Sequence, residues 1–322
     1  MKYINHIKKL YSEKHRHYHS YYNHIKPMLS RIEKLKIAEK DKSTLKIIAL
    51  FHDVVYDPRR SDNEEKSVDF FNILSKENNF QDIEIIKRVI LETKIGSTLT
   101  LNMSKEFHKL DYYNLYNGSV IELIQDNFMI FKEYQYLDSQ SFKAGRIKFL
   151  NDFIIKSPFP IKDSQKKLLK ELIVYISNWR PNIAVYAGSF NPLHKGHKNI
   201  IEQAERIFDK VIIACGKNKE KKYPKDRVEL VKKQLPYHQV DEYEGVLTDY
   251  IIEKEKHCNV TLIRGIRNYS DFKYENTTCQ YLKELHENLK ILFIPCNNSL
   301  SHISSTSLRE LLSYNKDISR YI

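Results

Sequence analysis

A chain of 322 residues is long enough for about two domains, and with 41% hydrophobic residues each half can build a core. Eight glycines and nine prolines exclude a low-complexity chain, and there is no run of about 18 apolar residues to cross a membrane. The net charge of +12 suits anionic partners, but the lysines are scattered and no nucleic-acid-binding fingerprint stands out; small phosphate-bearing molecules are expected, nucleic acid is not.

The opening Met1-Lys2-Tyr3-Ile4-Asn5-His6 lacks the apolar core of a secretion signal. Cys215, Cys258, Cys279 and Cys296 have no paired short spacing and read as reduced packing residues of a cytoplasmic protein. Six of the 13 histidines lie between His6 and His52, in a region whose apolar spacing is helical. Leu45-Lys-Ile-Ile-Ala-Leu-Phe51 offers an apolar face ending in His52-Asp53. Helical spacing recurs from Ile83 to Leu91, over Phe107-His-Lys-Leu-Asp111, and from Val120 to Phe131. Ser157-Pro158-Phe159-Pro160 breaks the chain, and a further helix is expected from Ser164 to Trp179. Arg180-Pro181-Asn182 then marks the boundary between a helical domain, 1–180, and a second domain, 181–322.

Beyond this boundary the pattern changes. Ile183-Ala-Val-Tyr186, Val211-Ile-Ile-Ala-Cys215, Val260-Thr-Leu-Ile263 and Ile291-Leu-Phe-Ile294 are short apolar runs, separated by helical stretches such as Asn199 to Phe208. Alternating strands and helices predict an α/β domain with a parallel sheet. The first strand runs into Ala187-Gly188-Ser189-Phe190-Asn191-Pro192-Leu193-His194-Lys195-Gly196-His197, where a helix begins. Ligands of open α/β sheets bind at the carboxyl ends of strands, and a helix N-terminus there offers free N–H groups to phosphate. His194 and His197 are three apart and can face one pocket, where an imidazole N–H can donate to an oxygen that gains charge during transfer.

This strand–loop–helix wording resembles the nucleotidyltransferase superfamily. Arg264-Gly265-Ile266-Arg267-Asn268-Tyr269-Ser270-Asp271-Phe272-Lys273-Tyr274-Glu275 resembles the Arg-Gly-Leu-Arg block of bacterial phosphopantetheine adenylyltransferases. Ile303-Ser304-Ser305-Thr306-Ser307-Leu308-Arg309-Glu310 resembles the Ile-Ser-Ser motif of the same family; Ser307 and Glu310 have capping-box spacing for a helix start. Gly245-Val246-Leu247-Thr248-Asp249-Tyr250 resembles the segment that lines the acceptor pocket, and the basic loop from Lys217 to Lys225 places Lys221 where the family has a lysine.

The resemblance implies a Rossmann-like fold and in-line attack by an acceptor phosphate on the α-phosphorus of ATP, releasing pyrophosphate, by positioning and charge stabilisation with Mg2+ sharing the phosphate charge. It implies His197, Lys221 and Arg264 as catalytic residues. Ser189, Phe190, His194, His197, Arg267, Tyr274, Glu275, Ser304, Ser305 and Thr306 are the implied ATP contacts, and Ser189, Lys221, Val246, Leu247 and Arg264 the acceptor contacts. The expected acceptor is 4'-phosphopantetheine. The Gly-Ser-Phe-Asn-Pro-Leu-His wording is shared with nicotinamide-mononucleotide adenylyltransferases, and Tyr281-Leu282 stands where the pantetheine family has Met-Asn, so a nicotinamide acceptor stays open. The family's oligomers make a homo-oligomer an allowed arrangement.

In the N-terminal half, His15-Arg-His17-Tyr-His19, His24, His52-Asp53 and Asp111 follow the ligand order of the HD phosphohydrolase superfamily. Phe51-His-Asp-Val-Val-Tyr56-Asp57 and Asp62-Asn-Glu-Glu-Lys-Ser67 resemble one branch of it. The resemblance implies an all-α HD domain binding a divalent transition metal through His19, His52, Asp53 and Asp111, with His24 the rival to His19. Such a metal generates hydroxide and polarises a phosphoryl oxygen. Glu64 or Glu65 is then the general base or an orienting carboxylate. The chain reads as bifunctional; a nucleotide-sensing regulator with an inactive HD half is the reading from another class.

Overall fold

The computed structural model describes residues 2–217 and 223–322. The chain divides into two compact units: residues 1–134 with 147–177, and residues 135–146 with 178–322. The third crossing, at 177/178, lies beside the expected boundary at 180/181, whereas the segment Gln135–Arg146 groups with the C-terminal unit.

The first unit is helical. Helices α1 (Lys2–Leu10), α2 (Lys26–Glu33), α3 (Glu39–Phe51), α4 (Asn63–Ser75), α5 (Ile83–Glu92) and α6 (Asn102–Asp111) close around one core, and a π-helical turn, Tyr21–Ile25, precedes α2. Phe51, Phe71 and Phe107 are fully buried there with Ile25, Met28, Leu45, Ile48 and Ile86. Each such side chain removed from water stabilises the fold by roughly 1.5–3 kcal/mol. A second cluster, including Leu123, Leu150, Leu169, Leu172 and Ile176, joins α7 (Tyr113–Asn117), α8 (Val120–Glu133), the C-terminal part of α9 (Ser139–Lys156) and α10 (Asp163–Asn178). Ser119 caps α8 through a capping box with Glu122, satisfying two amides at a helix start.

The second unit is a five-stranded, wholly parallel sheet in the order β3-β2-β1-β4-β5. Its elements are β1 (Asn182–Gly188), α11 (Lys195–Ala204), β2 (Lys210–Lys217), α12 (Arg227–Gln234), β3 (Gln239–Glu244), α13 (Leu247–Glu255), β4 (Asn259–Ile266), α14 (Tyr269–Leu285), β5 (Ile291–Pro295) and α15 (Ser305–Ser313). Successive side chains of a strand leave opposite faces, and both faces are covered. Ala184 and Tyr186 pack with Ile200, Ile201 and Ala204 of α11 and Val231 of α12. Ile183, Val185 and Ala187 pack with Leu247 and Ile251 of α13 and Leu282 of α14. This is why the β1 run is continuously apolar.

The segment Gln135–Arg146 is fixed within this unit: Gln135 O accepts from Gln239 N–H, and Lys210 Nζ donates to Leu137 O. Burial pushes the Lys210 pKa down to about 7 despite the nearby Asp241 and Asp138. All four cysteines are free and buried, as packing residues are. No helix among the described residues is long and apolar enough to cross a membrane.

Candidate functional site

The order of the sheet reverses between β1 and β4: β2 and β3 extend it on one side, β4 and β5 on the other. A crevice forms outside the carboxyl ends of strands at such a switch point. From β1 the chain passes Gly188 and Ser189 to Phe190, which has φ 46°. That left-handed conformation costs a residue with a β-carbon roughly 1–2 kcal/mol, a strain met mostly where a site over-determines the backbone. Phe190 is held by packing edge-on against Tyr186 and His197, with ring centroids 5.2 and 5.1 Å away.

His194 is the N-cap of α11, and its pairing with His197 is reciprocal. His194 Nδ1 accepts from His197 N–H at 3.4 Å, and His197 Nδ1 accepts from His194 N–H at 3.3 Å. The two rings stack with centroids 3.7 Å apart. A backbone amide can only donate, so each Nδ1 is unprotonated and each Nε2 carries the proton. Burial, and then the Arg267 charge, lower His194 to about 4. Burial, His194 and Arg267 push His197 well below the usual histidine range. Both rings are therefore neutral Nε2–H donors, beside the free amides of a helix start. The close stacking needs Gly196: a Cβ there would lie 3.0 Å from the His194 ring.

From β4, Arg264 reaches back to Ala187 O at 3.1 Å and pairs with Glu275 Oε2 of α14 at 3.3 Å. Arg267 is gripped by both carboxylate oxygens of Asp271, at 2.7 and 2.9 Å, and donates to Ile303 O at 3.3 Å. That last bond joins it to the segment leading into α15. The expected cap of α15 at Ser307 is corrected: Ser304 is the N-cap, accepting from Ser307 N–H at 3.0 Å. One turn of register decides this, because Ser304 has extended backbone and Ser307 is already helical. Ser305 Oγ donates to Pro192 O, and Arg309, touching Thr306, donates to Asn191 O. The start of α15 is thus fastened to the loop that follows β1.

Ser189, Phe190, His194, His197, Arg264, Arg267, Glu275, Ser304, Ser305 and Thr306 are therefore joined at one end of the sheet. Val246, partly exposed, and Leu247, buried, open α13 after Gly245, whose φ of 94° suits glycine. Tyr274 is exposed on α14. Lys221 lies outside the described residues. Sequence reasoning passed over Arg227, the first residue of α12, which is buried and donates to Ser189 O and Gly216 O. Its signal was an arginine closing a basic run at a helix start.

A parallel sheet with this switch point, two neutral imidazoles at a helix start and two anchored guanidiniums defines a nucleotidyltransferase. Residues 185–311 match the model of the cytidylyltransferase-like family. A phosphopantetheine adenylyltransferase from Nautilia profundicola is 39% identical over 145 residues, 43% of this chain and 92% of that protein. One from Petrotoga mobilis is 36% identical over 145 residues and 88% of its length, and one from Geotalea daltonii 39% over 142 residues and 86% of its length. The chain belongs, through its second unit, to the phosphopantetheine adenylyltransferase family, and that unit is an adenylyltransferase.

A second constellation sits in the first unit. His24, on the π-helical turn, has Nε2 3.1 Å from His52 Nε2, 3.1 Å from Asp111 Oδ1 and 3.7 Å from Asp53 Oδ2. His52 Nε2 lies 3.1 Å from Asp53 Oδ2 and 3.6 Å from Asp111 Oδ1. His24, His52 and Asp53 each turn one ligand atom to within 4.8 Å of the others. His19, the expected first ligand, has its Nδ1 2.6 Å from buried Glu133, which also accepts from Tyr56 and from the His17 and His19 amides. His24, the rival, is the histidine whose ring nitrogen lies within the His52–Asp53 group.

The donor set fits a divalent transition metal. His52 Nδ1 lies 3.1 Å from Ala49 O, the partner that leaves Nε2 as the ligand atom. Burial disfavours charge on His52, yet Asp53 and Asp111 hold its pKa up to about 10. Two carboxylates crowding two imidazoles form a set that a cation would bridge, displacing that proton. Asp53 and Asp111 are held below the usual carboxylate range, against their burial, chiefly by His52 for Asp53 and by His24 and His52 for Asp111. Glu64 is half-buried with its pKa raised by burial and by Asp53, while Glu65 is paired with Lys94 at 2.6 Å.

Proposed function

We propose that the second unit transfers AMP from ATP to 4'-phosphopantetheine, giving dephospho-coenzyme A and pyrophosphate. The observation that carries this reading is the joining of Arg264, Arg267 and the His194–His197 pair around the carboxyl ends of β1 and β4, in a chain spanning nine-tenths of a phosphopantetheine adenylyltransferase. The acceptor phosphate attacks the α-phosphorus in line, and its P–O bond forms as the bond to the β-phosphate oxygen breaks. No covalent enzyme intermediate is needed.

His197 and His194 donate through Nε2–H to phosphate oxygens; being neutral, they stabilise charge without losing a proton. Arg267, aimed by Asp271, holds the ATP phosphates beside the α15 start, where Ser304, Ser305 and Thr306 lie. Arg264, fixed on Ala187 O and Glu275, holds the acceptor phosphate. Magnesium accompanies ATP and shares its charge. Acceptor-dependent pyrophosphate release tests this. Release with nicotinamide mononucleotide in place of phosphopantetheine would move the reading to the other acceptor.

We further propose that the first unit is an HD-type phosphohydrolase whose metal is held by His24, His52, Asp53 and Asp111. The bound metal would supply hydroxide and polarise a phosphoryl oxygen. Glu64, whose carboxyl is held up by burial and by the Asp53 charge, would then act as the proton acceptor. A cavity of about 310 Å³ opens on this cluster, with His24 and Asp111 in its wall beside Tyr18, Arg31 and Asn114. Phosphate release from phosphomonoesters by the metal-loaded protein tests this reading, and its absence in a protein that does bind metal would favour a sensor.

A further inference from the structure

We propose that Arg227 is a positioning residue for nucleotidyl transfer: it fixes the peptide between Ser189 and Phe190 so that the Phe190 N–H is presented to the phosphate chain. The inference rests on the nucleotidyltransferase reading of the β1 loop and adds a residue to it.

Arg227 opens α12, and its guanidinium is buried. One nitrogen donates to Ser189 O at 2.8 Å and to Gly216 O at 2.9 Å, and another to Glu242 Oε1 at 2.9 Å. The Tyr223 ring lies 4.3 Å from the guanidinium carbon. A single side chain thereby ties together the carboxyl ends of β1, β2 and β3. The planar guanidinium reaches the two carbonyls from one nitrogen and the carboxylate from another, whereas a lysine ammonium would have to serve all three acceptors from a single atom.

What it holds matters more than how firmly. Ser189 is the first residue beyond β1, and the next residue, Phe190, is in the left-handed conformation. In a trans peptide the C=O and the following N–H point opposite ways. Bonding Ser189 O to Arg227 therefore turns Phe190 N–H away from Arg227. No backbone carbonyl among the described residues accepts from that amide. The Phe190 side chain is buried, its ring 5.1 Å from the His197 ring, which ties this turn to the imidazole pair. Without Arg227, the peptide is free to flip and relax the φ of Phe190, and the phosphate loses one pre-aimed donor.

The test uses the full chain carrying Arg227→Lys and, separately, Arg227→Met. Binding of a non-hydrolysable ATP analogue is measured by calorimetry, pyrophosphate release by steady-state kinetics, and the thermal midpoint by circular dichroism. In Arg227→Lys, analogue binding weakens about tenfold and kcat falls on the order of a hundredfold, the scale of losing one preorganised oxyanion donor, while the acceptor KM moves less than about threefold. Arg227→Met, if it folds, loses at least as much. Arg227→Lys that binds and turns over as the parent does, or whose activity falls only with its folded fraction, overturns the proposal. Analogue binding to the parent does not depend on the acceptor: a parent that binds ATP but fails with phosphopantetheine disproves the acceptor assignment, not this one.

Discussion

His194 and His197 each accept the other's backbone amide, at 3.4 and 3.3 Å, so the helix start that would hold phosphate is capped by the same two rings that would donate to it. His197→Ala removes a donor and leaves His194 N–H uncapped. Its kcat in pyrophosphate release is expected to fall about 10²–10³-fold, as when an oxyanion donor is removed, with the circular dichroism spectrum retained. A fall of less than about threefold would take His197 out of the chemistry.

The neutrality of the pair has a pH signature. The His194 pKa is lowered to about 4 in the folded chain, against an ordinary value near 6.5 when unfolded. Between these values the unfolded chain binds the extra proton, so this group's contribution to stability is present above about pH 6.5 and is lost as pH falls toward 4. The window is worth on the order of 1–3 kcal/mol. Denaturant titrations from pH 7 to pH 4.5 should show a smaller loss of stability in His194→Gln than in the parent. Equal losses would mean that the ring is not held neutral.

Arg267 owes its direction to Asp271, which grips it at 2.7 and 2.9 Å. Arg267→Ala is expected to raise the ATP dissociation constant about tenfold or more, equivalent to ~1.4 kcal/mol. Asp271→Asn keeps the cation but loosens its fork and should raise it by less. If Asp271→Asn proves the more damaging of the two, the carboxylate has a role of its own.

Metal content separates the two histidine candidates of the first unit. Elemental analysis of His24→Ala should show metal lost from the N-terminal unit, whereas His19→Ala, whose ring is bound to Glu133, should keep it. Chelation should lower the thermal midpoint of the parent, because a metal that binds only the folded state stabilises it by mass action. Retention of metal by His24→Ala would return the ligand role to another residue.

Four of the five strands were legible as apolar runs: β1, β2 and β4 lie inside the sheet, and β5, although an edge strand like β3, keeps an apolar sequence. The fifth, β3, was not: Gln239-Val-Asp-Glu-Tyr-Glu244 lies at the sheet edge, where polar side chains are tolerated, and nothing in its composition separates it from a loop. The strand–loop–helix of Gly188 to His197 was readable from local wording, and so were the helices around His52 and Asp111. Weighing His19 against His24 was beyond local wording, since the surroundings of His19 include Glu133, more than a hundred residues away. Arg227 was hidden for the same reason. Its partners Ser189, Gly216 and Glu242 meet only once the strands are side by side.

The most direct measurement is product formation by the purified full-length protein given ATP, magnesium and 4'-phosphopantetheine, followed by mass spectrometry. Equimolar dephospho-coenzyme A and pyrophosphate, absent in Arg264→Ala and with nicotinamide mononucleotide as acceptor, are the predicted result. Pyrophosphate released only with nicotinamide mononucleotide, or with neither acceptor while ATP binds, would contradict the account.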